Sequence, residues 1–177
     1  MATWNDVMTN GNRLSLKVQK DPTICMTNPE MAKMLISRIN FNDNDIVMEP
    51  CRGLCAFYNN LPSNFIKKYC EINEGIDYLT QHEIVDITLS NPPFTPRTLF
   101  WEFMLKAMET TKREIYWLVN LSSINVFTPK RLKEMASKQW YINDLFICAD
   151  KRWFGRYVWI KFTKTNNGLI SYTDKIY

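Results

Sequence analysis

Ile84-Val85-Asp86-Ile87-Thr88-Leu89, followed at once by Ser90-Asn91-Pro92-Pro93-Phe94, is the stretch on which the reading of this chain turns. The first six residues have the β-branched, apolar character of a buried strand. Two consecutive prolines cannot continue a central strand or a helix interior, because each lacks an N–H and fixes φ. The chain must therefore leave the sheet at Asn91 in a stiff loop. In such a loop the Asn91 side chain and the Pro92 carbonyl offer two acceptors, and Phe94 offers a flat apolar face. That set suits a planar group carrying an exocyclic NH₂. The alternative is an Asn-Pro turn with a buried Phe.

Working outward, the pattern alternates strands with helices. Upstream, Thr27-Asn28-Pro29-Glu30 reads as a capping box, Thr27 capping and Glu30 answering, before a helix carrying Met31, Met34, Leu35 and Ile39 and running to about Arg38–Asn40. Asp45 to Pro50 reads as a short buried strand that enters the one-glycine loop Cys51-Arg52-Gly53-Leu54-Cys55-Ala56-Phe57. Phe65 to Ile72 is a second strand, ending at Glu71, and Gly75-Ile76-Asp77-Tyr78-Leu79 follows it. Downstream of Phe94, Leu99, Phe100, Phe103, Met104 and Ala107 share one helical face. Ile115 to Val119 is a further strand. Thr128-Pro129 opens a helix with Leu132, Met135 and Ala136 inward and Lys130, Arg131, Lys133 and Lys138 outward. Asp144 to Ala149 and Tyr157 to Phe162 form a closing strand pair around Gly155. This order predicts an α/β sandwich with a mostly parallel sheet and an antiparallel edge hairpin. In such sheets ligands bind beyond the carboxyl ends of the strands, where Glu49, Glu71, Asp77 and Asn91 stand.

The 177 residues, 46% hydrophobic and 23% charged, suit one domain with a real core. We expect an N-terminal arm over 1–20, a domain over 21–165 and a tail over 166–177. No basic leader followed by an apolar run opens the sequence, and no apolar segment is long enough to span a bilayer. The five cysteines lack paired or zinc-like spacing, which points to reduced thiols, no metal site and a cytoplasmic setting, host-cell cytoplasm if the protein is viral. His82, the single histidine, lies in a polar connection. The net charge of +4 is unevenly spread: residues 1–96 hold 8 Lys/Arg against 11 Asp/Glu, and residues 97–177 hold 14 against 7. A basic second half fits a polyanion such as nucleic acid; a solvated surface is the plain alternative.

Taken together these motifs resemble class I S-adenosylmethionine-dependent methyltransferases. More narrowly they are similar to the N6-adenine DNA methyltransferases of restriction-modification and phage type. The resemblance spans Thr27 to Phe94 by motif and reaches about Phe162 by strand order. It implies a Rossmann-like methyltransferase sandwich with helices on both faces, using S-adenosyl-L-methionine. Glu49-Pro50-Cys51-Arg52-Gly53-Leu54-Cys55-Ala56-Phe57 resembles the family's Glu-Pro-x-x-Gly-x-Gly-x-Phe cofactor loop, and Gly75-Ile76-Asp77-Tyr78-Leu79 its Gly-x-Asp-Phe-Leu segment. By this resemblance the cofactor is held by Thr27, Glu49, Cys51, Gly53, Glu71, Ile72, Asp77, Tyr78 and Asn91. Glu71 takes the ribose hydroxyls and Asp77 the adenine amino group. Asn91, Pro92, Pro93 and Phe94 are the catalytic motif. Lys130, Arg131, Lys133, Arg152 and Arg156 are the candidates for nucleic-acid phosphates, with DNA the expected partner and RNA an alternative.

Two departures carry expectations of their own. Cys55 replaces the loop's second glycine, so its side chain is expected to crowd the cofactor or to sit at a φ that Cys adopts reluctantly. No segment is long enough for a separate target-recognition domain, so the expectation is an enzyme that is weakly selective, that takes target recognition from a partner protein or a homodimer, or that acts on another planar amine. The competing reading is a degenerate fold that has lost cofactor binding and serves as a nucleic-acid- or protein-binding module.

Overall fold

The computed structural model describes residues 26–151 and 155–173. The arm over 1–20, Cys25, Arg152 and residues 174–177 lie outside the described residues. The elements are α1 (Pro29–Ile36), β1 (Ile46–Glu49), α2 (Ala56–Asn60), β2 (Ile66–Tyr69), β3 (Val85–Ser90), α3 (Arg97–Thr110), β4 (Thr111–Asn120), α4 (Pro129–Ser137), β5 (Tyr141–Cys148) and β6 (Tyr157–Thr163). Short 3₁₀ turns occupy Ile72–Glu74, Tyr78–Thr80 and Leu121–Val126.

The strands form one six-stranded sheet in the order β2-β1-β3-β4-β6-β5. β1 runs parallel to β2 and β3, and β3 parallel to β4. β6 is antiparallel to both β4 and β5, so among the described strands it alone is reversed. This is an α/β sandwich with a mostly parallel sheet and an antiparallel edge, as the element order predicted.

Both faces of the sheet's centre are covered, which is why β1, β4 and β6 are largely apolar, whereas the edge strands β2 and β5 are mixed and partly exposed. On one face Val47, Ile87, Leu89, Tyr116, Leu118 and Trp159 meet Met31, Leu35 and Phe57 from α1 and α2. On the other, Ile115, Trp117, Val119, Val158, Ile160 and Phe162 meet Phe100, Met104, Ala107 and Met135 from α3 and α4. The alternation of Ile115 through Val119 between these sets is the two-residue period of a strand. A register irregularity between Val85 and Ile87 turns Val85 to the other face, beside Met48, Cys70, Tyr78 and Phe103. There Asp86 Oδ2 accepts from the Ile46 N–H at 2.9 Å.

Two helix ends differ from expectation. The cap of α1 is Asn28, not Thr27: its side chain accepts from the Glu30 N–H at 2.9 Å. The helix also stops at Ile36, where the Ser37, Arg38 and Ile39 N–H groups close tight turns onto Lys33, Leu35 and Ile36. Thr128 does cap α4, accepting from the Arg131 N–H, with Pro129 first in the helix.

The turn that feeds β1 is fixed by a buried ion pair. Asp45 accepts from Arg113 Nη1 at 2.9 Å, Arg113 Nη2 at 2.6 Å and the Asn42 N–H at 2.7 Å. Its side chain is only 5% exposed. Removing one partner of such a pair leaves a buried charge without compensation, which costs about 3 kcal/mol or more. Arg113→Ala is therefore expected to lower stability by roughly 3 kcal/mol in urea unfolding, far beyond the effect of an ordinary surface change.

Candidate active site

β1, β2 and β3 are parallel and end at the same edge, with Glu49 beside Tyr69. Their carboxyl ends deliver Pro50–Ala56, Glu71–Leu79 and Asn91–Thr95 to a single cavity of about 570 Å³. Thr27, Glu49, Cys51, Gly53, Glu71, Ile72, Asp77, Tyr78, Asn91, Pro92, Pro93 and Phe94 all line it. Every cofactor and catalytic candidate named from the sequence thus stands in one place.

The loop after β1 is strapped to the end of β2. The Arg52 N–H donates to the Cys70 carbonyl at 3.0 Å. The Gly53 N–H donates to Glu71 Oε2 at 2.8 Å. Glu71 Oε1 accepts from the Asn73 N–H at 3.2 Å and from Asn73 Nδ2 at 2.9 Å. Glu71 is thereby buried and held in one orientation, and an oxygen that has accepted one bond still has a second lone pair for a ligand. Arg52 turns to Glu74, with which it pairs, and lies 3.9 Å over the Tyr69 ring. The charge that Arg52 brings to the loop is met within the protein.

Gly53 has φ +49°, and a Cβ there would come 3.2 Å from Met26 Sδ. A bare backbone is what this corner of the cavity accommodates. Cys55 also takes the left-handed conformation, φ 63° and ψ 25°, as the residue preceding α2. Its expected strain is present. Its expected crowding is not, because the wall is formed by its neighbours Leu54 and Ala56 and Cys55 is not among the lining residues. For a residue with a Cβ, the left-handed region costs about 1–2 kcal/mol, and a glycine loses part of that gain to unfolded-state entropy, about 0.5–1 kcal/mol. Cys55→Gly is expected to stabilise the protein by roughly 0.5–1 kcal/mol in urea unfolding while leaving cofactor affinity by calorimetry unchanged.

Glu49 is only 1% exposed, and its Oε2 has no hydrogen-bond partner among the described residues. Burial pushes its carboxyl up from 4.5 to about 9; the Tyr58 backbone N–H and the Arg52 charge act against that, and the Glu71 charge with it. The acid is therefore neutral at pH 7 and presents an unused oxygen on the cavity wall. Burial likewise pushes the neighbouring Cys51 thiol up.

Asp77 caps the turn Tyr78–Thr80 through Oδ1, which accepts from the Leu79 N–H at 2.9 Å. Asp77 lines the cavity, and its Oδ2 keeps acceptor capacity for a ligand. Tyr78 is 2% exposed and lies against Phe103, ring centroids 5.3 Å apart. Asn91 Nδ2 donates to Thr27 Oγ1 at 3.3 Å, which links the proline loop to the residue before the α1 cap. Oδ1 is then the acceptor end of that amide.

A buried carboxyl with a free oxygen, a bare glycine backbone, a held carboxylate and a second acceptor at Asp77 fit a ligand with a cationic end, a diol and an amino-bearing ring. These are the parts of S-adenosyl-L-methionine.

The basic candidates divide. Lys130, Lys133 and Arg156 are exposed, whereas Arg131 is half-buried. Arg131 does not face out as the helical pattern suggested: Nη1 donates to the Val126 carbonyl at 3.1 Å, and the guanidinium lies 4.8 Å over the Trp101 ring. Arg152 lies outside the described residues. Met26, Leu54 and Asn73 also line the cavity and had no individual signal in the sequence, as do Leu99 and Phe103, which the sequence marked only as part of an apolar helical face. His82 is exposed, Cys51, Cys55, Cys70 and Cys148 are free thiols, and no group of metal-ligating side chains occurs among the described residues. No described helix is long and apolar enough to cross a membrane.

Neither a protein-family model nor a curated protein matches the chain. Solved structures do. A Listeria monocytogenes protein assigned as a class I S-adenosylmethionine-dependent methyltransferase superposes with TM-score 0.67 at 14% identity, over 91% of this chain and 67% of that one. A Pyrococcus horikoshii protein assigned as an RNA methyltransferase gives 0.54 at 14%, over 78% and 84%. Magnesium protoporphyrin IX methyltransferase of Synechocystis PCC 6803, with bound S-adenosylmethionine, gives 0.57 at 8%, over 77% of both chains. What this chain has in common with them is the class I methyltransferase fold.

Proposed function

We propose that the protein transfers a methyl group from S-adenosylmethionine to the exocyclic N6 of adenine in DNA. The observation that carries this reading is that Asn91, Pro92 and Phe94 line the same cavity as Glu49, Glu71 and Asp77. When bound, S-adenosylmethionine supplies a methyl group on a positively charged sulfur. Glu71 would hold the ribose hydroxyls, Asp77 the adenine amino group of the cofactor, and Glu49 the cationic end. Ile72, 68% exposed on the cavity wall, would give that ring an apolar cover.

At the target, an aromatic amino group is a poor nucleophile because its lone pair is delocalised into the ring. Acceptors at Asn91 Oδ1 and the Pro92 carbonyl favour the pyramidal nitrogen and stabilise the positive charge that develops there. Phe94 stacks on the ring and fixes its plane. The remainder is alignment of the reacting atoms, a proximity effect. In duplex DNA the base must first leave the stack, at a cost of a few kcal/mol.

The test is incubation with labelled S-adenosylmethionine and unmethylated DNA, read by nucleoside mass spectrometry. N6-methyladenine is the expected product. Cofactor binding without methylated DNA would overturn the substrate. An RNA-base reading is favoured by one observation, the likeness to the Pyrococcus horikoshii protein assigned as an RNA methyltransferase, and the same assay with RNA decides it. The degenerate-fold reading predicts no cofactor binding by calorimetry. The open cavity, and the position of Cys55 outside its walls, favour the enzyme.

A further inference from the structure

Where α3 and α4 begin, cations stand unpaired, whereas most of those where α3 ends and β4 begins are held by carboxylates. At the amino edge, where α3 ends and β4 begins, Lys112 pairs with Asp86, Arg113 with Asp45 and Lys106 with Glu109. At the carboxyl edge, where the cavity opens, Arg97 and Lys130 are exposed and have no ion pair or hydrogen bond among the described residues. Lys151, after β5, is exposed and equally unpaired. Arg156, before β6, reaches only the neighbouring Gly155 carbonyl, at 3.5 Å. The pairing of Cys148 with Tyr157, and of Asn120 with Tyr157, places that connection at the same edge as the end of β4.

The helices repeat the asymmetry. A helix N-terminus carries partial positive charge and is stabilised by acids in its first turn. α1 follows that rule with Glu30. α3 and α4 have no acid in the first turn and instead begin with Arg97 and with Lys130-Arg131. Both begin at the carboxyl edge. Cations and helix ends therefore add together on the β3-to-β5 side of that edge, away from Glu71, Glu74 and Asp77 on its β1–β2 side, at the expense of the helices that bear them.

We propose that Arg97, Lys130, Lys151 and Arg156 form a phosphate-tracking band for a single nucleic-acid strand along this edge, with Arg97 holding the phosphate next to the base that stacks on Phe94. Arg97 lies three residues beyond Phe94 and opens the helix into which the proline loop runs. The band stands on the charge pattern alone; the role of Arg97 beside the stacked base rests on the function proposed above. Sequence reading left Arg97 out because a lone arginine in a helical pattern carries no signal until its neighbours are known to leave it unpaired.

The experiment is fluorescence anisotropy of a labelled single-stranded oligonucleotide at stepped salt. Each phosphate contact contributes about 0.7 to the slope of log K against log salt, so four contacts give a slope of roughly −3. Arg97→Gln is expected to reduce the slope by about 0.7, to weaken all sequences alike, and to leave the melting temperature unchanged or raised. Lys138→Gln, an exposed cation at the amino edge, is expected to change neither. An unchanged slope in Arg97→Gln, or an equal loss in Lys138→Gln, overturns the band. If the wild type binds with the steep slope and makes no methyladenine, the adenine reading falls and the band stands. If methyladenine forms while Arg97→Gln keeps the full slope, the reverse holds.

Discussion

Replacing Asn91 with Ala is expected to reduce methyl transfer by at least about 10²-fold while leaving cofactor affinity nearly unchanged. The size follows from the role: a preorganised group aimed at charge that develops only in the transition state is worth about 10²–10³ in rate. The selectivity follows from position. Asn91 leaves the end of β3, across the cavity from the strap that holds Glu71 to Gly53, and the variant touches neither partner of that bond. The bond from its Nδ2 to Thr27 Oγ1, 3.3 Å long, is neutral and weak, worth at most about 1 kcal/mol of stability. Calorimetry with S-adenosylmethionine and single-turnover transfer to adenine separate the two quantities. A parallel loss of both would move Asn91 from the target base to the cofactor.

The other large effect belongs to Glu49, and it runs in opposite directions for stability and for binding. In the folded protein burial pushes this carboxyl up to about 9, from 4.5 for an ordinary glutamate. Between those values the unfolded chain has lost the proton that the folded chain keeps. Stability therefore falls as pH rises through that window, by up to about 1.4 kcal/mol per unit. Glu49→Gln cannot ionise and escapes this loss. It is expected to melt at nearly the same temperature as wild type near pH 5 and several degrees higher at pH 9, a gain of a few kcal/mol. The same change removes the anion that a cationic ligand would draw out. In the wild type, cofactor binding should release a proton, visible as a dependence of calorimetric enthalpy on the buffer, and affinity should rise toward pH 9. In Glu49→Gln the affinity should drop by about tenfold or more and the proton release should vanish. A wild-type stability that is flat from pH 6 to 9 would mean that Glu49 is already ionised.

The parts of this molecule that are legible in its sequence are those with a repeating period or a rigid signal. Each of the six expected strands is present, but β2 stops short at Tyr69, and β4 and β5 begin four and three residues earlier than their apolar runs, at Thr111 and Tyr141, because the ladder continues through polar residues. Pro92-Pro93 marked the exit from the sheet because no other conformation suits two such residues. α2 was read as loop: Ala56–Asn60 is barely a turn and a half, too short to show a helical period. Thr27 and Asn28 are both good caps, and only the structure shows that Asn28 takes the Glu30 N–H. Arg131 was misplaced because its neighbour across α4 and α3, Trp101, is distant in sequence, and the stacking that holds the guanidinium is a tertiary fact. Most of the site was legible too, since its candidates other than Thr27 stand at or beyond a strand end. The position of Cys55 relative to the wall was not, because a one-residue shift in a loop decides whether a side chain faces a ligand or its own helix.

The reversal of β6 has a consequence for assembly. β5 touches the sheet only through β6, and β4 offers its open side to β6 alone. While the chain is being made, N-terminal residues first, the strands that carry Glu49 and Asn91 can pair before β6 exists. β4 must then wait with one edge bare, and β5 has nothing to join, until Tyr157–Thr163 has emerged. An unpaired strand edge is a template for other chains. Synthesis halted between β5 and β6 would thus yield a protein with its cavity edge in place and an adhesive flank, prone to aggregate rather than to act.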